Sequence, residues 1–308
     1  MIPSLVTPSS LPTDPSLEPG SVARAGGIFV ERLRSGRPLI AIELRPPRVD
    51  TTRQRSIDSW IDLHHAVRRI VRRDTFVLLT DDAVGLKEEE NLEHLRNNLA
   101  QAVDPARLVP FLTCKHPIDY CLMHADRALS NGHESLVVLG GDRTGPERCV
   151  GHAFELRERV RARIPGLALG GWANPHRDPK AQVDFLEDSR FTGEFFLTQV
   201  VSHHDLPAVE AFLKELRARE LPISPLFGVF YYRSAKLATL ERLAAYLPIP
   251  IEGIRRDFES GLKAIEVCAK TVASLRDLGV NQVYLSNLPF RVAPKRLNEL
   301  EDLLGAPG

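Results

Sequence analysis

The chain is 308 residues long, 43% hydrophobic and 26% charged, the profile of a globular protein large enough to bury a sizeable core. Forty basic residues balance forty acidic ones, which argues against nucleic acid or an anionic membrane as the main partner, because both select a basic surface. Four cysteines without a CxxC pair give no disulfide framework and no zinc knuckle, and they fit a reducing, cytoplasmic setting.

Residues 1–25 hold five prolines and several serines, with no basic segment followed by an apolar core. They read as a disordered or draped extension and not as a secretory signal. No apolar run in the chain reaches the roughly 18 residues that a membrane span needs. From Gly27 onward short β-rich runs alternate with longer amphipathic stretches. The expected strands are 39–44, 75–80, 107–113, 135–139, 167–172, 194–200, 223–229 and 282–286. Most are almost continuously apolar, as strands buried on both faces should be. Helical periodicity marks 53–73, 91–103, 147–164, 206–216, 235–246 and 261–278, and Gly132 and Gly279 stand where helix C-caps want glycine. Eight strand–helix units over residues 26–308 are the count of a single-domain (β/α)8 TIM barrel. A doubly wound sheet is the competing architecture, but no G-x-G-x-x-G cradle follows the first strand. No exposed apolar stripe stands out, which favours a monomer over a homo-oligomer.

In a barrel the chemistry gathers at the carboxyl ends of the strands. Glu43 is the most informative residue there. It lies in an apolar strand, and period-2 alternation puts it on the inner face with Ala41, opposite Ile42 and Leu44. A partly desolvated carboxyl at a barrel mouth suits a general acid; a structural Glu paired with a buried Arg is the alternative. Asp142 follows Gly140-Gly141, where backbone can approach a ligand closely, although it could also cap a helix. The Gln199 amide can offer a heterocycle one donor and one acceptor, or cap its own strand. The remaining strand-end residues are Thr80, Asp81, Asp82, Thr113, Cys114, His116, Trp172, Asn174, His176, Ser202, His203, His204, Tyr231, Tyr232 and Asn287. No metal site is expected: no H-x-H or HExxH spacing occurs, and two adjacent histidines cannot both aim at one ion from a strand. The absence of a G-x-S-x-G elbow argues against a serine hydrolase. Cys114 could be a nucleophile, but a buried structural thiol is the commoner arrangement.

Six motifs, in order, resemble those of methylenetetrahydrofolate reductases. Ile42-Glu43-Leu44-Arg45-Pro46-Pro47 is similar to their F-E-F-F-P-P, Phe111-Leu112-Thr113-Cys114 to H-L-T-C, and Leu139-Gly140-Gly141-Asp142 to L-R-G-D. Trp172-Ala173-Asn174-Pro175-His176 is a looser match to Y-P-E-x-H-P, Phe196-Leu197-Thr198-Gln199 matches I-T-Q, and Tyr284-Leu285-Ser286-Asn287 is similar to Y-T-L-N. The resemblance covers about residues 36–290. It implies a (β/α)8 barrel that reduces 5,10-methylenetetrahydrofolate to 5-methyltetrahydrofolate. By position it makes Glu43 the general acid that helps open the substrate ring, Asp142 the stabiliser of the cationic iminium and Gln199 a pterin ligand. Thr113, Tyr231 and Asn287 join Gln199 as candidate substrate contacts. Thr80, Trp172 and His176 are candidate contacts of the nicotinamide cosubstrate, with NADH favoured over NADPH. Arg233, Lys236 and Arg291 are candidates for a polyglutamate tail.

The departures concern flavin. Gly140 replaces the motif arginine, Phe111 replaces the motif histidine, and counting back from Gln199 puts Glu187 and Asp188, near Asp184, where the family meets the FAD diphosphate with cations. Thr80-Asp81-Asp82 adds negative charge at the rim. The expectation is direct hydride transfer from NAD(P)H without FAD. A conventional FAD enzyme and a non-catalytic folate-binding or partner-binding paralogue are the alternatives.

Overall fold

The computed structural model describes residues 26–82, 87–92, 102–141 and 147–305. Eight parallel strands close a barrel in chain order: β1 (Leu39–Leu44), β2 (Val77–Leu79), β3 (Leu108–Thr113), β4 (Ser135–Leu139), β5 (Ala168–Ala173), β6 (Phe195–Val201), β7 (Ser224–Phe230) and β8 (Gln282–Ser286). Closure is made by β1 and β8, with Ala41 opposite Tyr284 and Ile42 opposite Leu285. The fold is therefore the (β/α)8 barrel expected from the strand pattern. The described helices are α1 (Ile28–Arg34), α2 (Arg53–Val71), α3 (Ile118–Ser130), α4 (Ala153–Arg163), α5 (Pro179–Glu187), α6 (Leu206–Ala218), α7 (Leu237–Ala244), α8 (Ile251–Glu259), α9 (Ala264–Asp277) and α10 (Ala293–Leu303). Residues 1–25, and most of the helix expected at 91–103, lie outside the described residues.

Two cores follow from the alternation of the strands. Ile42, Leu44, Phe227, Val229, Val283 and Leu285 face outward and pack under the helices. Ala41, Leu78, Val109, Val137, Leu197, Leu226 and Tyr284 fill the barrel. The interior closes because large rings stand opposite glycines: a Cβ on Gly170 would lie 2.3 Å from the Phe195 ring, and one on Gly228 would lie 2.6 Å from the Tyr284 hydroxyl. The short helix α1, which hydrophobic period does not announce, plugs the amino end of the barrel. Phe29 stacks edge-on to Phe76 at 4.9 Å and to Phe195 at 5.1 Å, and Gln282 donates to the Leu33 carbonyl at 2.6 Å. With that end covered, the barrel interior of the described residues opens at the carboxyl ends of the strands.

Helix α4 starts six residues later than its periodicity suggests. Glu155 accepts the His152 backbone N–H at 2.9 Å, which fixes the first turn at Ala153.

Candidate functional site

Glu43 enters the mouth from β1 on the inner face, two residues above Ala41. Its Oε1 accepts a 2.5 Å hydrogen bond from Ser286 Oγ, which β8 presents two residues above Tyr284. Burial pushes the Glu43 carboxyl up to about 7, the Ser286 bond and the Arg45 charge draw it down, and the Glu88 charge adds to the rise. A carboxyl that exchanges its proton near neutrality is the property a general acid needs. Beneath it, Tyr284 donates its hydroxyl proton to the Thr198 carbonyl at 2.7 Å. Thr198 Oγ1 in turn accepts the Gly228 N–H at 3.1 Å. These bonds lie where the β6–β7 register shifts, between Leu197 and Val200. The irregularity interrupts the ladder at Gln199, as bulges near ligand sites do. The Gln199 Oε1 accepts the Val200 N–H at 2.9 Å, so one amide oxygen is held in place.

Beside Glu43, at the adjoining ends of β1 and β2, Thr80 Oγ1 donates to Glu88 Oε2 at 2.7 Å, and Arg45 Nε donates to Glu88 Oε1 at 2.8 Å. The segment around Glu88 folds back on the β1 loop through Val49 N to Lys87 O and Glu89 N to Pro47 O, at 3.2 and 2.8 Å. Glu89 receives Ser56 Oγ at 2.5 Å and Trp60 Nε1 at 2.8 Å. Thr113 donates both its backbone N–H and its hydroxyl to Asp81 Oδ2, at 2.6 and 2.9 Å, and His116 Nε2 meets the same carboxylate at 2.8 Å. Burial lowers the His116 pKa, but the Asp81 hydrogen bond and charge more than offset it, and the net shift is upward. Trp172 points inward and, like Leu139, packs against the inner core.

The remaining sequence candidates divide. Asp142 lies outside the described residues. His176 Nε2 meets the Val200 carbonyl at 2.9 Å, which ties the β5 loop to the end of β6. Asn287 takes a left-handed backbone (φ 68°) and donates to the Tyr231 carbonyl at 3.0 Å, while its own carbonyl accepts two bonds from Arg233, at 3.0 and 2.9 Å. Tyr231 does not face the mouth. It shares the parity of Phe227 and Val229 and is buried in the outer core. Tyr232 is buried against Phe230 and Leu240. Cys114 is buried and its thiol is pushed up to about 12 by that burial, which makes it a structural thiol. Arg291 pairs with Asp62 at 2.6 Å.

Two expectations built on charge are corrected. Glu187 ends α5, and helices return from the mouth toward the amino ends of the strands, so Glu187 and Asp188 lie just before β6 at the sealed end. There Glu187 and Asp184 pair with Arg219 and Asp188 pairs with Arg190. They face no ligand at the mouth. Asp81 and Asp82 do stand at the rim, but Asp81 is engaged by Thr113 and His116, and Asp82 Oδ1 accepts the Glu88 N–H at 2.7 Å. Cations also gather over the glycines of the β4 turn. A Cβ on Gly140 would meet the Arg148 guanidinium at 3.1 Å, one on Gly141 would meet the Lys115 stem at 3.0 Å, and Arg148 donates to the Gly141 carbonyl at 2.7 Å. The adjacent histidines, not expected to aim at one ion, do converge. His203 and His204 lie in the turn after Val201, not in the strand, and both reach Asp257.

Sequence reasoning did not single out Ser286, Arg45, Glu88 or Tyr284. Ser286 and Tyr284 carry a signal in hindsight: they share the inward parity of β8, whereas Asn287 lies beyond the strand.

No protein-family model and no curated protein sequence matches the chain. Among solved structures, an uncharacterised protein from Clostridium thermocellum that binds two copies of 5-methyl-5,6,7,8-tetrahydrofolic acid is similar at 16% identity and a TM-score of 0.65, covering 89% of this chain and 98% of that one. The multifunctional pyruvate carboxylase of Rhizobium etli is similar at 12% identity and a TM-score of 0.53, covering 96% of this chain but only 31% of that much longer one. Likeness at these identities establishes the barrel fold. Among the described residues, no helix is long and apolar enough to cross a membrane.

Proposed function

We propose that the chain reduces 5,10-methylenetetrahydrofolate to 5-methyltetrahydrofolate, taking hydride directly from NAD(P)H. The observation that carries this reading is Glu43: a carboxyl raised to about 7 by burial, on the inner face at the barrel mouth, inside the first of the six motifs. Opening the imidazolidine ring requires a proton on the departing amine nitrogen, and Glu43 supplies it. The resulting N5 methylene iminium accepts hydride from the nicotinamide and becomes the N5 methyl group. Asp142 offsets the iminium charge, and the Gln199 amide reads the pterin edge. Trp172 offers an aromatic surface beside the inner core for a planar ring. Arg148 and Lys115, over the Gly140-Gly141 turn, suit the phosphates of a dinucleotide. The protein's part is orientation and charge stabilisation in a ternary complex. The Clostridium thermocellum barrel supports the substrate class, since what it binds is the product of this reaction.

One observation favours the rival FAD-dependent reading: Arg148 fills the space over Gly140, where the family's motif arginine is missing from the sequence. The test is nicotinamide oxidation by the purified chain. Oxidation that requires methylenetetrahydrofolate and yields 5-methyltetrahydrofolate is expected. Oxidation without folate, or none with both substrates present, overturns the proposal.

A further inference from the structure

The turn after β6 carries two adjacent histidines that end on one carboxylate. His204 Nε2 lies 2.8 Å and His203 Nε2 3.0 Å from Asp257 Oδ2 on α8. The side chains of His203, His204 and Asp257 are only 5%, 21% and 6% exposed. The two rings stand 4.0 Å apart. Gly253, one turn before Asp257, makes the room: a Cβ there would sit 2.6 Å from the His204 ring.

The second ring nitrogen of His203 sets its tautomer. Nδ1 lies 2.9 Å from Thr271 Oγ1 on α9, and the Thr271 hydroxyl gives its proton to the Val267 carbonyl at 3.1 Å. Nδ1 therefore donates, and Nε2 carries a lone pair. That nitrogen is buried and makes no well-aligned hydrogen bond, although a carboxylate oxygen is 3.0 Å away. A buried lone pair beside a carboxylate is unfavourable unless a cation sits between them. With tetrahedral metal–ligand bonds of about 2.0–2.2 Å, neighbouring ligand atoms stand about 3.3–3.6 Å apart, and the ligand atoms of His203, His204 and Asp257 all lie within 4.8 Å of one another. Outer partners are in place as well: Thr271 on His203, and Lys270 Nζ at 3.1 Å from the other oxygen, Asp257 Oδ1.

We propose that His203, His204 and Asp257 bind a divalent transition-metal ion of the zinc class, which clamps the turn after β6 to α8 and α9. Two imidazoles and a single carboxylate select such an ion over magnesium or calcium, which want oxygen ligands. Asp205, next in the same turn, has a buried Oδ2 without a partner and offers a further carboxylate. None of the three ligands has a part in the reductase reading, so failure of the metal site would leave that reading untouched.

The test uses chelator-treated, tag-free full chain titrated with Co²⁺ alone, read by visible absorption, with Zn²⁺ as competitor. One equivalent of Co²⁺ should give ligand-field bands that Zn²⁺ abolishes, and the ion should raise the melting temperature. His204→Ala and Asp257→Asn should each weaken binding by about 100-fold or more, and Thr271→Val, which spares all three ligands, by about 10-fold. Asp81→Asn, in the other cluster with His116 and Asp82, should leave the bands unchanged. Circular dichroism of the metal-free variants verifies folding, and His203→Gln carries the same test if His204→Ala does not fold. No stoichiometric binding by the folded wild type, bands that persist in the ligand variants, or bands lost in Asp81→Asn alone would overturn the proposal.

Discussion

Ser286 Oγ donates a 2.5 Å hydrogen bond to Glu43 Oε1 across the seam where β8 closes on β1. The two residues are 243 positions apart in sequence. Closure of the barrel thus sets the protonation of the Glu43 carboxyl: burial in the mouth raises the pKa, and the serine limits the rise.

Glu43→Gln should reduce turnover by about 10²–10⁴-fold, the usual contribution of an acid catalyst, in an assay of folate-dependent NADH oxidation. Retention of more than about half the activity would remove Glu43 from the mechanism. The same substitution should stabilise the fold at high pH. The folded-state pKa is raised from 4.5 to about 7, so the folded protein holds a proton that the unfolded chain has already released. Stability is therefore lost as pH rises from about 4.5 through about 7, by at most about 3 kcal/mol. Thermal melts should show a larger gain for the glutamine variant at pH 8 than at pH 4.5. Equal gains at both pH values would show that Glu43 is not held protonated by its surroundings.

Ser286→Ala removes a donor that stabilises the ionised carboxylate, so the Glu43 pKa should rise further. A general acid works in its protonated form. The descending limb of the kcat/KM profile, set near pH 7 in the wild type, should therefore move to higher pH. A limb that stays in place, or moves down, would mean that another group controls the profile.

The strands are legible in the sequence because most of their runs, such as 135–139, are apolar on both faces, the mark of a buried parallel strand. Glu43 is legible for the same reason, as a carboxyl in the interior of such a run. Parity along a strand was the neglected signal at Tyr231: it alternates with Phe227 and Val229 and so belongs to the helix-facing core. Chain direction was the neglected signal at Glu187, since a helix that leaves the mouth ends at the other pole. Parity places Ser286 on the inner face, but the partners of Ser286, Arg45 and Glu88 were not legible. Their roles come from contacts between different strands and loops, and these depend on barrel closure and on the fold-back of the Lys87–Glu89 segment against the β1 loop.

Gly228→Ala tests the floor beneath Glu43. The new methyl would stand 2.6 Å from the Tyr284 hydroxyl, forcing that ring off the Thr198 carbonyl. Overpacking of this kind costs about 1–3 kcal/mol, readable as a lower denaturation midpoint. Because Thr198 adjoins Gln199 at the β6 irregularity, the KM for folate should rise as well. Unchanged stability and KM would show that the Tyr284–Thr198 bond does not support the site.

The last prediction concerns flavin. Gly140 and Phe111 stand where the family motifs place arginine and histidine, and Phe111 is buried in the inner core, unable to offer a hydrogen bond. Glu187 and Asp188 contribute nothing to this question, because they lie at the sealed end. Arg148 and Lys115 remain at the β4 turn, able to serve the phosphates of a nicotinamide dinucleotide as readily as those of FAD. If hydride passes straight to the pterin, both substrates must occupy the mouth together, and no reduced carrier persists between half-reactions. The purified chain should then lack the visible absorption of a flavin, and added FAD should not raise its rate. Double-reciprocal plots at several fixed folate concentrations should intersect, whereas parallel lines mark a shuttle through an intermediate carrier. A Lys115→Ala, Arg148→Ala double variant should raise the KM for NADH while leaving that for folate nearly unchanged, which separates phosphate recognition from pterin recognition at the same mouth. Stoichiometric bound FAD, or parallel lines, would return the protein to the flavin-dependent mechanism, with Arg148 taking the place of the missing motif arginine.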